Sequence, residues 1–285
     1  MAVIKKIGIS INAYDASELL YDALSQIRDQ VDGIYAVWQK KSYCGNPMDE
    51  VDMNELQRLK SIGLIDDLIE FKPNYTQYAR EQETEKRNMS IDFLKSKGYS
   101  HVLNVDSDEI YDKDQFKYAK DLINKKGYPI TYCTYLNYFR DLSHYLVYPF
   151  VPYVNFIHST FFKYTYNCAG PGLPTDPTRR IHNPSNLGTY IFKPEEVRMN
   201  HLSWVRKDIR KKLNNWSAKD NFKDELIDKA VEVYENWKEG DDATLLFNVP
   251  GNSVYVRKLE KRLCDVKIPW VEEQMEEWKK KNSYL

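Results

Sequence analysis

The amino-terminal part of the chain alternates strand-like and helix-like segments, and this alternation constrains the fold more than any other feature. A run rich in β-branched residues predicts a first strand at 3–11, and further strands are predicted at 33–38, 64–71 and 99–105. Apolar residues at helical spacing predict helices between them, at 18–30, 53–62 and 78–97. Strands that alternate with helices usually build a parallel sheet, so we expect an α/β fold.

The pattern changes after residue 112. A helix is predicted at 113–126, followed by aromatic, β-prone segments at 130–140 and 145–164 and short strands at 190–192 and 197–199. Between them, the segment 168–177 contains two Gly and three Pro, which predicts an irregular, shaped loop. The last third is predicted to be mainly helical, at 205–216, 221–237 and 271–281, with a short strand at 244–249. We therefore expect a mixed sheet flanked by helices, with a helical carboxyl-terminal extension.

Composition narrows the class of protein. The chain has 285 residues, of which 42% are hydrophobic and 29% charged, and no apolar run reaches membrane-spanning length. We expect a cytoplasmic protein without a membrane span. The net charge is −1, yet the segment 198–212, called here the basic segment, contains six cationic residues opposed only by Asp208.

One short apolar run ends abruptly in carboxylates. The sequence from His101 to Val105 is strand-like, and it is followed directly by Asp106, Ser107, Asp108 and Glu109. Ligands of open α/β sheets bind at the carboxyl ends of the strands, and two carboxylates one residue apart can hold a hard divalent cation whose other positions are taken by water and phosphate oxygens. An acidic turn without a ligand is the alternative, because Asp and Ser are common at such junctions.

Three segments, in this order along 1–204, resemble a GT-A fold glycosyltransferase and are most similar to the family 2 group. The first is the strand start Ile7-Gly-Ile-Ser-Ile-Asn-Ala-Tyr14; the second is Lys86-Arg87-Asn88, in the helix before the carboxylate strand; the third is Asn200-His201-Leu-Ser-Trp204. The resemblance does not extend to 205–285. It implies a GT-A (Rossmann-like) catalytic domain at 1–204, with a nucleotide-sugar half at 1–112 and an acceptor half at 113–204, and a helical extension at 205–285 packed on it.

The resemblance also implies a function and a set of site residues. A nucleoside-diphosphate sugar, in the first place a UDP-sugar, would donate its sugar to a hydroxyl acceptor, and Mn²⁺ or Mg²⁺ would stabilise the diphosphate that leaves. The metal ligands would be Asp106, Asp108 and His201. The donor-binding residues would be Ser10, Asn12, Arg87, Asp106 and Arg206.

Each of these roles has a structural alternative. Taken alone, His201 is better explained as a packed or capping histidine before a helix, but its position relative to the carboxylate motif favours a metal ligand. Arg87 is equally explained as a solvated residue of a highly charged helix. An inverting transfer also needs a general base, for which Asp176, Glu195 and Glu196 are the candidates between the metal motif and the histidine. A retaining transfer would not need this base.

Two other functions remain open at this stage. A nucleotidyltransferase would also use carboxylate-bound metal, although it would be expected to carry a glycine-rich phosphate loop, and Gly8 stands alone near the first strand. A non-catalytic sugar-binding or nucleic-acid-binding module would use the aromatic residues and the basic segment for affinity. The acceptor of a transferase could be a glycan or a hydroxylated base in DNA, the latter favoured by the basic segment.

Overall fold

The computed structural model describes residues 4–15, 17–166, 168, 172–183, 188–219, 222–239, 254–261 and 266–282. The strand expected at 244–249 lies outside these residues. Within them, eleven strands are found: β1 (Ile7–Ala13), β2 (Gly33–Trp38), β3 (Asp67–Glu70), β4 (His101–Asp106), β5 (Glu109–Tyr111), β6 (Ile130–Phe139), β7 (His144–Val147), β8 (Tyr153–Ser159), β9 (Thr189–Ile191), β10 (Arg198–Trp204) and β11 (Tyr255–Lys258).

Seven α-helices are found in the same part of the chain. They are α1 (Leu20–Ile27), α2 (Glu50–Ser61), α3 (Ala79–Ser96), α4 (Lys113–Lys126), α5 (Ile209–Asn215), α6 (Asp224–Asn236) and α7 (Pro269–Asn282). The predicted class, an α/β protein with a mixed sheet, flanking helices and a mainly helical carboxyl-terminal part, is confirmed.

The strands form one sheet in the order β11-β7-β6-β8-β4-β1-β2-β3, with β10 pairing β5 and β6, and β9 pairing β6. Strands β4, β1, β2 and β3 are parallel to one another. Strand β8 is antiparallel to both β4 and β6, and β10 is parallel to β6. The two reversals cancel, so β6 and β10 run in the same direction as β4. The carboxyl ends of β1, β4 and β10 therefore lie at the same edge of the sheet.

Helices cover both faces of the parallel strands: the main core contains residues of α1, α2 and α4, whereas Ile91 and Leu94 of α3 pack with Tyr99 and Val102 in a separate cluster. Strand β1 is buried along nearly its whole length, as expected for a central strand covered on both faces. Gly8 lies within it, and a Cβ added there would be 2.6 Å from Leu94 Cδ2. Its lack of a side chain thus allows α3 to approach the sheet closely, and Gly8 lies in the middle of the strand rather than in a phosphate loop.

The carboxyl-terminal part packs on the sheet in two places. A second core joins α5 and α6 to Phe139, Leu146 and Trp204, and β11 adds an antiparallel strand to β7. A third core joins Ile268 and the start of α7 to Leu19 and Ile110. No helix among the described residues is both long and apolar enough to cross a membrane.

Candidate active site

A cavity of about 410 Å³ lies at the carboxyl ends of β1 and β4. The amino-terminal part of the chain contributes mainly polar lining residues: Asn12, Tyr14, Asp15, Tyr43 and Arg80. The later part contributes an aromatic set: Tyr135, Tyr148, Phe150, Trp204 and Trp216. Asp106, Ser107, Asp108, His201 and Lys212 also line the cavity, so the carboxylate motif and the downstream histidine, about ninety residues apart in sequence, meet at one site.

Asp106, the last residue of β4, is surrounded by hydrogen-bond donors. Arg87 Nη2 lies 2.9 and 3.0 Å from its two carboxylate oxygens, and Arg179 Nη2 lies 3.1 Å from Oδ2. Asn12 Nδ2 donates to Oδ1 at 3.1 Å. Burial raises the pKa of Asp106, but the two arginines outweigh burial and hold the pKa below its ordinary value. The carboxylate is therefore ionised, and the protein itself engages both of its oxygens.

Asp108 lies in the tight turn after β4 and is buried. Its Oδ2 accepts hydrogen bonds from Arg206 Nη2 and from Lys212 Nζ, the latter at 2.8 Å. Burial raises the pKa of Asp108, but Lys212 and Arg206 reverse this effect and hold the pKa well below its ordinary value. No donor among the described residues is within hydrogen-bonding distance of the other oxygen, Oδ1.

His201 lies in β10, directly opposite the orphaned oxygen of Asp108. Its Nε2 is 3.6 Å from Asp108 Oδ1, just beyond hydrogen-bonding distance, and its ring packs edge-on against Tyr135. The side chain is 21% exposed. The register of β10 explains this position: His201 pairs with Glu109 of β5, and the turn that holds Asp108 connects β4 to β5.

The arrangement can be compared with the expected metal site. A carboxylate oxygen and an imidazole nitrogen that face each other without another partner are ligands that Mn²⁺ accepts. Asp108 and His201 therefore fit a divalent cation. Asp106 differs from the expectation, because its oxygens are occupied by Arg87 and Arg179, and no cluster of three His, Cys, Asp or Glu side chains within the described ranges is arranged to hold a metal. A cation here would have to complete its shell with water and phosphate oxygens.

Sequence reasoning missed Arg179, which organises this part of the site. It follows the Gly/Pro-rich loop, its side chain is 4% exposed, and it is paired with both oxygens of Glu109. It also lies 3.1 Å from Asp106 and 2.9 Å from Asp176. Glu109 is itself fully buried, and burial raises its pKa. One guanidinium thus joins three carboxylates from two distant parts of the chain.

Arg87 is not a solvated residue of a charged helix. It lies on the face of α3 that packs against the sheet, its side chain is 0% exposed, and it pairs with Glu83 at 2.6 Å as well as with Asp106. The neighbouring Lys86 is also buried, where Nζ donates to Ala13 O at 2.9 Å, and burial lowers the pKa of Lys86 to about 7. The charged side chains of Lys86 and Arg87 thus bind the carboxyl ends of β1 and β4, at Ala13 and Asp106.

The remaining donor-binding candidates divide into two groups. Asn12 lines the cavity, where its amide contacts Asp106 and Glu83. Ser10 is buried within β1 and is not among the lining residues. Arg206 is 1% exposed, pairs with Asp108 and lies close to Glu18. It therefore supports the site but does not line the cavity.

The three candidate bases occupy different environments. Asp176 lines the cavity, where burial raises its pKa but Arg179 and Arg87 outweigh burial, and its pKa is lowered. Glu195 and Glu196 lie in a turn between β9 and β10 and are not among the cavity-lining residues. Glu196 accepts hydrogen bonds from two tyrosine hydroxyls outside the cavity.

The basic segment does not form the exposed cationic patch that its charge pattern suggests. Four of its side chains form ion pairs with carboxylates: Arg206 and Lys212 with Asp108, Lys211 with Asp15, Asp49 and Asp52, and Arg210 with Asp228. Arg210, Lys211 and Lys212 are consecutive residues of the short helix α5, so the helix directs their side chains to different partners. This corrects the interpretation of a surface patch and removes the charge argument for a DNA acceptor.

Comparisons with known proteins give structural similarities only. No family model and no curated protein matches the chain. The crystal structure of S. aureus TarS is similar at 13% identity and a TM-score of 0.43, covering 82% of this chain and 41% of that chain. The structure of S. aureus TarS 1–349 is similar at 12% identity and a TM-score of 0.42, covering 82% of this chain and 67% of that chain.

A structure of S. aureus TarS 1–349 in complex with UDP is similar at 15% identity and a TM-score of 0.34, covering 46% of this chain and 36% of that chain. The chain thus spans about a third to two thirds of the length of these structures. Such values assign neither a family nor an activity to this chain.

Proposed function

We propose that this protein is a metal-dependent glycosyltransferase that transfers a sugar from a nucleoside-diphosphate sugar to a hydroxyl acceptor. The observation that carries the proposal is the meeting of Asp108 and His201 at one cavity, where an unpartnered carboxylate oxygen faces an imidazole nitrogen at 3.6 Å. This pair would hold Mn²⁺ or Mg²⁺. A divalent cation at this place would stabilise the charge of the leaving diphosphate.

The lining residues support a division of the cavity between the two substrates. The polar residues Asn12, Tyr14, Asp15 and Arg80 offer hydrogen bonds to a nucleoside, for which a uridine nucleotide is our first choice. The aromatic set offers flat faces to a sugar. Tyr148 and Phe150 form part of it, with stacked rings whose centroids are 5.8 Å apart.

The buried ion pairs would keep the site organised before the substrate binds. Two arginines bind the carboxylate of Asp106. It would therefore accept hydrogen bonds from the nucleotide sugar only through lone pairs that these arginines leave free. Asp108 remains ionised at neutral pH because of Lys212 and Arg206. Such preorganised charges act on the transition state without reorganisation.

Asp176 is the base that we retain for an inverting transfer, since it is the candidate that lines the cavity. Its low pKa keeps it ionised, which suits proton acceptance but makes it a weak base. Substitution Asp176→Asn should reduce transfer to acceptor, while a retaining enzyme would keep most of its rate.

Calorimetry with UDP tests the proposal. The wild-type protein should bind UDP in the presence of Mn²⁺, and both EDTA and the His201→Gln substitution should weaken binding by at least about tenfold, or 1.4 kcal/mol. His201→Gln is chosen because Nδ1 of His201 has no hydrogen-bond partner within the described structure and Nε2 stays 3.6 Å from Asp108 Oδ1, so the substitution should affect folding little. Glu196→Gln, which lies outside the cavity, is the control. Equal UDP affinity with and without metal would contradict the metal assignment.

The same proteins distinguish the alternative functions. A nucleotidyltransferase should release pyrophosphate from a nucleoside triphosphate and a sugar phosphate, and a binding module should release nothing. A glycosyltransferase should release UDP slowly from a UDP-sugar even without acceptor, because water can replace the acceptor hydroxyl. Release of UDP that requires metal would support the transferase.

A further inference from the structure

One carboxylate oxygen of Asp108 has two cationic partners, and these two side chains differ in how far they are exposed. Arg206 is 1% exposed and lies between Asp108 and Glu18, so it is fixed in the interior. Lys212 is 23% exposed and lines the cavity. If Lys212 moves away, Asp108 therefore keeps one buried cation and is not left uncompensated.

The helix that carries Lys212 is firmly attached, so only its side chain has to move. Asp208 caps α5 by accepting a hydrogen bond from Lys211 N at 2.8 Å. Ile209 and Leu213 are buried in the second core. A lysine side chain is long and flexible, and its ammonium has three donors with no fixed plane, which suits an anion whose oxygens can be approached from several directions.

Lys212 differs in this respect from the neighbouring cations. The Lys211 ammonium is within 3.3 Å of three aspartates, and Arg210 pairs with Asp228 on the surface. Lys207 lies over the Trp270 ring outside the cavity. Within the basic segment, Lys212 is the cation that is partly exposed, lines the cavity and contacts Asp108.

We propose that Lys212 binds the diphosphate of the donor: it exchanges its ion pair with Asp108 for one with a phosphate oxygen. This inference rests on the proposed function and identifies a cation that acts beside, and independently of, a divalent metal. In the absence of nucleotide, Lys212 neutralises Asp108; with nucleotide, it neutralises the ligand. The carboxyl-terminal part of the chain thereby contributes to the donor site.

The test compares Lys212→Met with wild-type protein and uses uridine, UMP and UDP as probes. Calorimetric titrations are made with Mn²⁺ and with EDTA. Lys212→Met should leave the affinity for uridine within about twofold and weaken UDP by at least about tenfold, because a hydrogen bond to a charged group is lost. The loss should persist in EDTA. Lys212→Arg should restore most of the affinity, and Lys207→Met, the matched control, should bind UDP normally.

The outcomes separate this inference from the proposed function. If the wild-type protein binds UDP and Lys212→Met binds it equally well, the role of Lys212 is refuted and the proposed function stands. If uridine and UDP weaken together in Lys212→Met, the lysine is structural and the inference again fails. If the wild-type protein binds neither UDP nor uridine with or without Mn²⁺, both proposals fail. Thermal unfolding of each variant shows that the titrated protein is folded.

Discussion

Replacing Arg179 should destabilise the protein far more than replacing a surface arginine. In Arg179→Met, the buried Glu109 loses both hydrogen bonds to its carboxylate oxygens from the guanidinium. Asp106 still has Arg87, but within the described part of the chain the Glu109 carboxylate keeps only the backbone amide of Asp106, at 3.3 Å. Breaking one partner of a buried ion pair costs roughly 3–5 kcal/mol, and we expect a loss of this size in the free energy of unfolding, measured by urea denaturation.

Two further variants are compared with Arg179→Met. Arg28→Met removes an exposed pair with Asp66 and should cost at most about 1 kcal/mol. The double substitution Arg179→Met with Glu109→Gln removes the uncompensated charge and should recover part of the stability lost in Arg179→Met.

The pH dependence of Arg179→Met follows from the same contact. Without its guanidinium, buried Glu109 should have a folded pKa raised further above its unfolded value, so the native variant binds the extra proton. Stability of Arg179→Met relative to wild type should therefore improve as the pH falls from 8 to 5. A loss below about 1 kcal/mol, or no recovery in the double variant, would refute the reasoning.

Two further outcomes are expected. Glu196→Gln should retain donor turnover within about twofold in a UDP-release assay, because Glu196 lies outside the cavity; a loss of tenfold or more would make it part of the site. Burial lowers the pKa of His101 and of His158 from the ordinary 6.5 to about 4. Between these two pH values the unfolded state binds more protons than the folded state. Each histidine therefore lowers the free energy of unfolding as the pH falls through this range, by up to about 1.4 kcal/mol per pH unit. Urea denaturation should thus show a steeper loss of stability from pH 6.5 to 4 in wild type than in His158→Gln, and equal slopes would contradict the assignment.

Local sequence signals predicted the elements that local interactions form. Helix α4 and strand β2 begin and end at the predicted residues. A capping Asp112 and a terminal Gly127 mark the helix, and the strand is a short, mainly apolar run that begins at Gly33. Strands β5 and β11 were not predicted. They have three and four residues, and they are strands because β10 and β7, distant in sequence, pair with them.

Only part of the site was predicted, because local patterns locate a residue but do not show its distant partners. The position of Asp106 and Asp108 at the end of a buried strand follows from a local pattern, whereas their partners come from elsewhere. Arg179 carries no periodic signal, and the signal that could have indicated it is the number of carboxylates in 106–109, which a single buried Arg87 cannot neutralise. The density of positive charge likewise suggested a surface patch around Lys212. In the structure, the position of Lys212 is instead determined by the buried carboxylate of Asp108, with which it pairs.

Release of UDP from a UDP-sugar is the most direct test of the central claim. The wild-type protein, incubated with a panel of UDP-sugars and Mn²⁺, should release UDP from at least one of them, and EDTA should abolish the release. Asp108→Asn should reduce it by at least about tenfold, with Glu196→Gln as the active control. Release that continues unchanged in Asp108→Asn or in EDTA, or no release from any donor by the folded wild-type protein, would contradict a metal-dependent glycosyltransferase at this cavity.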